Sequence, residues 1–231
     1  IVVAFRMLPE VVWNMPPLGT YNLHGSLLPK YRGAAPINWA IINGETESGV
    51  TTFKLQHEID TGNMLFQEKT PISKNTTAGE LHDTLMQIGA EVILKTVRAI
   101  ESGHYELKPQ DDSQSIHAPK IFKDTCKINW NQSAEKIYNL IRGLSPYPAA
   151  YTEFIDKNKQ TLGVKIFISE IEVAQHTCNA GDVKSDGKTY LKVACNNGFI
   201  HIKELQMAGK KRMLVEEFLR GFKPEDGLRF I

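Results

Sequence analysis

Three polar side chains in the first part of the chain have types and spacing that suit chemistry on a carbonyl group. Asn22 and His24 lie two residues apart in the run TYNLH, so on a strand both side chains point to the same side. An amide can donate a hydrogen bond to a developing oxyanion, and a histidine can hold or move a proton near neutral pH. Asp60, in the glycine-bounded loop IDTGN, can accept a proton or keep the histidine charged. Together they suit attack on a carbonyl through a tetrahedral intermediate.

Each of these residues also has a structural alternative. His24 could serve only in packing, Asn22 could be a turn residue, and Asp60 could cap a loop. The nucleophile motif G-x-S-x-G is absent from the sequence, which favours direct transfer to an external nucleophile over a covalent enzyme intermediate. The GxGxxG and P-loop motifs are absent too, so bound NAD or ATP is not indicated.

Short hydrophobic runs predict the elements that position these residues. IVVAF is typical of a buried parallel strand, and TYNLH indicates a second strand that leads into the polar motif. The capping-box pattern TAGE predicts a long helix after Asn75 that ends at Gly103. Strands and helices in alternation predict an α/β layer on a parallel sheet, with the polar residues at the carboxyl ends of its strands.

A polar, aperiodic stretch with two prolines separates the two halves of the chain. We therefore expect a catalytic domain at 1–103, a linker at 104–122 and a second domain at 123–231. The last region carries one short helical pattern and then several strand-like runs. Asn197-Gly198 is a strong hairpin turn signal, so a small β-barrel or sandwich is expected there.

The composition is that of an ordinary folded chain with an uneven distribution of charge. The 231 residues are 42% hydrophobic, and the sequence shows neither a run of about 18 apolar residues nor a signal peptide pattern. Residues 1–119 hold 9 Lys+Arg against 13 Asp+Glu, whereas residues 120–231 hold 18 against 13, so the second half is favoured for binding a polyanion. The three cysteines, Cys126, Cys178 and Cys195, are widely spaced and match no zinc or disulfide framework. This pattern predicts a cytoplasmic protein without a metal site.

The run NLHGSLLPKYRGAAPI resembles the signature of the 10-formyltetrahydrofolate-dependent formyltransferases, and the downstream EIDTG matches as well. The resemblance continues nearly end to end through IVVAFRMLP, KINWNQSAEKIYNLIRGLSPYPAA and LQMAGKKRM. It implies an α/β fold, with a Rossmann-like formyltransferase domain followed by a small OB-like β-barrel domain. Members of the family have several strands and helices before the segment that matches Ile1, so we expect a truncated catalytic domain with an exposed sheet edge and doubtful activity.

The resemblance implies a role for each polar residue. Asn22 would hydrogen-bond the formyl oxygen, His24 would assist the same centre as imidazolium or proton carrier, and Asp60 would orient or charge His24 and help to deprotonate the attacking amine. That amine would be the α-amino group of methionine esterified to initiator tRNA. Ser26 is interpreted either as a turn residue or as a residue that supports the catalytic groups without touching the substrate, and Gly33 as a requirement of backbone conformation.

The resemblance also implies which residues hold the two substrates, with 10-formyltetrahydrofolate as co-substrate and no metal. The folate pocket is expected to be apolar with backbone donors and acceptors, flanked by Phe5, Arg6, Met7, Leu8, His57, Glu58 and Ile59. Two groups of cations are expected to bind initiator methionyl-tRNA. Lys30 and Arg32, beside the catalytic motif, would meet its acceptor end. Lys210, Lys211 and Arg212, in the run GKKRM, would contact its phosphates. The full-length protein is expected to be a monomer.

Two other functions are compatible with the residues. Amino-sugar-nucleotide formyltransferases share the motif, although the basic second half and GKKRM favour tRNA. An OB-like RNA-binding module attached to an inactive catalytic remnant is the second alternative. The intact set of Asn22, His24 and Asp60 argues against it, and the missing first part of the domain argues for it.

Overall fold

Two units make up the chain in this computed structural model, which describes residues 1–3, 8–155, 159–224 and 227–231. The first unit comprises residues 1–40 and 45–121, and the second comprises residues 41–44 and 122–231. No helix within the described ranges is long and apolar enough to cross a membrane.

The first unit contains these elements in chain order: β1 (Val2–Val3), α1 (Glu10–Trp13), β2 (Tyr21–His24), β3 (Arg32–Gly33), α2 (Pro36–Ile42), β4 (Glu47–Lys54), β5 (Met64–Pro71), α3 (Ala78–Ser102) and β6 (His117–Ala118). A four-stranded sheet forms its base, in the order β1, β2, β4, β5. In this sheet β1 and β2 are parallel, whereas the β2–β4 and β4–β5 pairs are antiparallel. The expectation of a parallel sheet is therefore wrong for two of the three described pairs. A short loop without a helix joins β4 to β5, and strands so joined run antiparallel.

The long helix α3 covers one face of this sheet and confirms the predicted start and end. The Thr77 side chain accepts a hydrogen bond from the Glu80 backbone N–H, and the Glu80 carboxylate accepts one from the Thr77 N–H, which completes the capping box. Gly103 ends the helix in the left-handed conformation, at φ 68°. A Cβ at Gly89 would lie 2.7 Å from Leu23 Cδ2, so this glycine allows α3 to pack closely on β2.

Polar and backbone hydrogen bonds bind the stretch after α3 to the first unit. Met64 and Lys108 exchange two backbone hydrogen bonds of 2.8 Å, and β6 pairs in parallel with β3. The linker expected at 104–122 is thus part of the first unit as far as Ile121. Its contacts follow no hydrophobic period, which is why the pattern of apolar residues did not predict them.

The second unit is an antiparallel β domain in the form of a half-barrel. Its elements are α4 (Ala134–Leu144), β7 (Ala150–Ile155), β8 (Thr161–Val173), β9 (Val183–Ser185), β10 (Leu191–Cys195), β11 (Gly198–Met207), β12 (Met213–Leu214) and α5 (Val215–Gly221). The main sheet has the order β7, β8, β11, β10, β9, and β12 pairs with β11. A small β domain is confirmed, and the predicted hairpin joins β10 to β11, with Cys195 opposite Gly198.

The capping box gives a first test of how the sheet-covering helix is held. We expect Thr77→Ala to lower the free energy of unfolding by about 1 kcal/mol, because an orphan N–H of the first turn loses its acceptor. Thr77→Ser retains the hydroxyl and should be nearly neutral. Equilibrium urea unfolding followed by circular dichroism measures both, and equal losses for the two variants would contradict the capping role.

Candidate active site

His24 occupies the end of β2, and its ring is held in one orientation by the loop that follows. Its Nε2 lies 2.8 Å from the Tyr31 carbonyl oxygen, and the residue is 6% exposed. A carbonyl only accepts hydrogen bonds, so Nε2 carries the hydrogen and the lone pair of the neutral ring is on Nδ1. That Nδ1 lies 3.7 Å from Asp60 Oδ2. The ring therefore presents its basic nitrogen on the side of the carboxylate.

Asp60 is held in place by the backbone of the neighbouring strand β3. The Gly33 N–H donates to Asp60 Oδ2 at 2.9 Å, and the Asp60 side chain is 12% exposed. Gly33 has φ 124°, and a Cβ there would lie 2.5 Å from the Ala118 carbonyl oxygen. A side chain at this position would push β3 away from β6, so the donor to Asp60 depends on a glycine.

Asn22 lies on β2 beside His24 and faces the same cleft. The residue is 6% exposed, and its buried Oδ1 has no hydrogen-bond partner among the described residues. Buried polar atoms normally have such a partner. A rotation of the amide exchanges its oxygen and nitrogen in almost the same space, so Asn22 can offer a donor or an acceptor to a ligand.

The loop between β2 and β3 is tied down by its own serine and by the neighbouring strands. Ser26 Oγ donates to the Lys30 carbonyl at 2.6 Å, as befits a turn residue. Thr51 Oγ1 on β4 donates to the Ser26 carbonyl at 2.7 Å, and Gln67 Nε2 on β5 donates to the Leu28 carbonyl at 2.7 Å. Sequence reasoning missed Thr51 and Gln67, since each supports the motif from a distant strand.

These polar residues open onto a cleft of about 1400 Å³ within the first unit. Four of the seven residues expected around the folate line this cleft: Leu8, His57, Glu58 and Ile59. The other three, Phe5, Arg6 and Met7, lie outside the described residues. Sequence reasoning missed most of its apolar lining, which includes Trp13, Pro36, Ile37, Leu85, Met86 and Ile93. Apolar walls with few convergent polar groups are typical of a small-molecule site.

The five cations expected to meet tRNA fall into two groups. Arg32 is 12% exposed in its side chain, and it donates to Gln110 and to Asp112 Oδ1 at 2.7 Å. Arg212 forms two hydrogen bonds of 2.6 Å to the Glu204 carboxylate and lies 4.3 Å from the centre of the Phe167 ring. Donors of both guanidinium groups are thus occupied within the protein, whereas Lys210 and Lys211 are exposed. Lys30 is intermediate: its side chain is 47% exposed, and its Nζ lies 3.9 Å from Glu45 Oε2.

Neither a metal site nor a reactive thiol at Cys126 or Cys195 is indicated in the described chain. Within the described ranges, no three His, Cys, Asp or Glu side chains are grouped so that they could hold a metal ion. Cys126 and Cys195 are buried, and that burial raises the pKa of both thiols. A raised pKa keeps a thiol protonated and a poor nucleophile.

Comparisons with known proteins agree with this site. The family model described as formyl transferase matches residues 1–97, and that described as formyl transferase, C-terminal domain matches residues 120–223. The methionyl-tRNA formyltransferase of Phocaeicola vulgatus is 54% identical over 233 residues, which cover 98% of this chain and 71% of that protein. The chain belongs to the methionyl-tRNA formyltransferase family.

Solved structures show how widely the fold of this formyltransferase is shared. The N-formyltransferase from Helicobacter canadensis, in complex with folinic acid and dTDP-3-aminofucose, is 27% identical with a TM-score of 0.63, over 84% of this chain and 66% of that one. HypX from Aquifex aeolicus, in complex with tetrahydrofolic acid, is 19% identical with a TM-score of 0.69, over 96% of this chain and 38% of that one. The second likeness is one of fold alone.

Gly33 provides a test of the geometry around Asp60. We expect Gly33→Ala to lower the thermal unfolding midpoint by several degrees and to reduce formyl transfer, because the new Cβ meets a backbone oxygen at a positive φ. Gly163→Ala is the matched control, since a Cβ there has no atom within 4 Å. Similar midpoints and rates for the two variants would show that Gly33 is not required.

Proposed function

We propose that the chain transfers the formyl group of 10-formyltetrahydrofolate to the α-amino group of methionine esterified to initiator tRNA. The observation that carries this proposal is the meeting of Asn22, His24 and Asp60 in one cleft, in a chain of the methionyl-tRNA formyltransferase family. The reaction needs an oxyanion donor and an acceptor for the proton of the amine. These residues offer both.

The cleft suits a folate in size and in chemistry. Its volume of about 1400 Å³ and apolar lining accommodate a flat ring system, and the buried Asn22 amide offers the polar contact that a formyl group needs. Two structures of similar fold were solved with folinic acid or tetrahydrofolic acid. We infer that Leu8 and the segment 57–59 flank the pterin. The folate supplies the formyl group: the amine nitrogen bonds to the formyl carbon, the bond from that carbon to N10 breaks, and the proton taken from the amine passes to N10, so that tetrahydrofolate leaves.

His24 acts on the amine as a general base in this proposal. Its Nε2–H is engaged by the Tyr31 carbonyl, so Nδ1 is the nitrogen that accepts the proton. The imidazolium that results faces Asp60 Oδ2 at 3.7 Å, where the opposite charges attract. Asp60 therefore favours proton transfer to His24 without a direct hydrogen bond.

Asn22 acts on the other reacting atom. Its side-chain amide donates to the formyl oxygen as negative charge develops there, from a residue that is only 6% exposed. Because the group is fixed on a buried strand, little reorganisation is needed during the reaction. Donors of this kind contribute about 10²–10³-fold to turnover.

The second unit is proposed to bind the tRNA. Residues 120–231 carry the excess of basic residues, and Lys210 and Lys211 are exposed at the turn between β11 and β12. Phosphate contacts by such lysines supply affinity without reading sequence. Amino-sugar nucleotides are the alternative acceptors, because a sugar-nucleotide ligand is present in the Helicobacter canadensis structure.

The choice of acceptor tests the function directly. The chain, 10-formyltetrahydrofolate and radiolabelled acceptors are combined, and initial rates are compared for methionyl initiator tRNA, a methionyl elongator tRNA and dTDP-3-aminofucose. We expect formylation of the initiator tRNA at a rate at least tenfold above the others. Faster formylation of the amino sugar would reverse the assignment of the acceptor.

Substitutions at the reacting centre test the mechanism. We expect His24→Ala and Asp60→Asn to reduce turnover by about 10²–10⁴-fold, because each removes part of the proton transfer. Affinity for tRNA, measured by filter binding, should change less than twofold, since neither residue is a proposed phosphate contact. Parallel losses of turnover and affinity would mean that the two residues are structural.

The lysines of the second unit have a separate test. We expect Lys210→Gln with Lys211→Gln to weaken tRNA binding and to reduce the slope of log affinity against log salt by about two, one for each lost phosphate contact. Lys184→Gln with Lys188→Gln removes the same charge from another part of this unit and is the control. An equal change of slope in both pairs would show a general charge effect instead of a local contact.

A further inference from the structure

Gln110, in the stretch expected to be a linker, reaches back to the loop that carries Asp60. Its Nε2 donates at 2.8 Å to two backbone carbonyls, those of Asp60 and Gly62. Its Oε1 accepts from Arg32 Nε at 3.0 Å and from Arg32 Nη2 at 2.7 Å. Both donors and both acceptor sites of this amide are in use, so the side chain has a single well-defined position.

Arg32 fixes which way the amide of Gln110 points. A guanidinium only donates, so the oxygen of Gln110 must face Arg32 and the NH₂ group must face the two carbonyls. Arg32 is anchored in turn by its hydrogen bond of 2.7 Å to Asp112 Oδ1. Asp112, Arg32 and Gln110 form a series of side chains that ends at the backbone of the Asp60 loop.

The loop needs such support because its backbone is strained. Asp60 has φ 57°, a left-handed conformation that a residue with a side chain adopts at a cost and keeps only when its surroundings enforce it. Gln110 binds the carbonyls of Asp60 and Gly62, and the Gly33 N–H binds the Asp60 carboxylate. Since Gly33 follows Arg32 directly, one dipeptide controls both the backbone and the side chain of Asp60.

We propose that Gln110 is a positioning residue for formyl transfer, and that Arg32 orients it. Gln110 sets the place of Asp60 Oδ2 relative to His24 Nδ1, 3.7 Å away, without itself touching a substrate. The proposal rests on the catalytic roles given above to His24 and Asp60. It assigns Arg32 to the support of the catalytic carboxylate instead of to tRNA.

The isosteric variant Gln110→Glu isolates the two donated hydrogen bonds. A carboxylate still accepts from Arg32, but it presents an oxygen to the carbonyls of Asp60 and Gly62, which repel it. We expect kcat to fall 10- to 100-fold, while KM for folate and for tRNA changes less than threefold. Gln114→Glu is the control, because Gln114 donates to Asp111 Oδ2 and is exposed; its kcat should match that of the wild type.

A measurement that does not depend on turnover accompanies the kinetics. Hydrogen exchange of the peptide spanning residues 57–63, followed by mass spectrometry, should be at least fivefold faster in Gln110→Glu than in the wild type and unchanged in Gln114→Glu. Arg32→Met should give the same acceleration, and Arg32→Met with Gln110→Glu should add little to it. A thermal unfolding curve for each variant identifies general loss of fold.

The outcomes separate this proposal from the proposed function. Unchanged exchange in Gln110→Glu overturns the positioning role, and so does faster exchange with an unchanged kcat. A rise in KM that accounts for the whole loss of efficiency also overturns it, because it would make Gln110 a binding residue. Absence of turnover in the wild type defeats the proposed function, and the exchange data then decide alone whether Gln110 and Arg32 hold the loop.

Discussion

The hydrogen bond from the Gly33 N–H to Asp60 Oδ2 is the constraint on which the site depends. It brings a carboxylate from the loop before β5 to within 3.7 Å of a histidine at the end of β2. The bond needs β3 and β6 side by side, and it needs the close approach of Gly33 to the Ala118 carbonyl, which a Cβ would prevent. Three separate parts of the chain therefore converge because one backbone amide is correctly placed.

A cluster of buried polar groups costs free energy unless each finds a partner, and most of this cluster does. The His24 Nε2–H is satisfied by the Tyr31 carbonyl, Ser26 by the Lys30 carbonyl and Thr51 by the Ser26 carbonyl. Asn22 Oδ1 is the exception among these side chains. Because most of the surrounding network is satisfied, the unpartnered Asn22 oxygen is an acceptor that a donor on a ligand can complete. After rotation of the amide, its NH₂ group takes almost the same place and can donate to the carbonyl oxygen of a ligand.

Local chemistry made part of this structure predictable from the sequence. The capping box and Gly103 set the ends of α3, and the spacing of Asn22 and His24 placed both on one strand, because these signals act within a few residues. Contacts between distant residues were not predictable. Arg32 and Gln110 are 78 residues apart, and Gln110 and Asp60 are 50 apart, so only the folded sheet brings them together. The antiparallel pairing of β2 with β4 was missed because apolar runs do not specify strand direction, although the short connection between β4 and β5 indicates that those two strands are antiparallel.

The hydrogen bonds of Arg32 and Arg212 show why a count of basic residues overestimates the positive charge that is available to bind phosphate. A guanidinium offers donors in a planar fork that matches a carboxylate or an amide oxygen, whereas an ammonium is a strongly hydrated point charge. In the run GKKRM, Arg212 binds the Glu204 carboxylate in this way, and Lys210 and Lys211 extend into solvent. Arg32 behaves like Arg212, although it lies beside the catalytic motif. In the run GKKRM the charge available to a polyanion is therefore carried by the two lysines, and Arg32 and Arg212 use their geometry to hold the protein's own strands and loops.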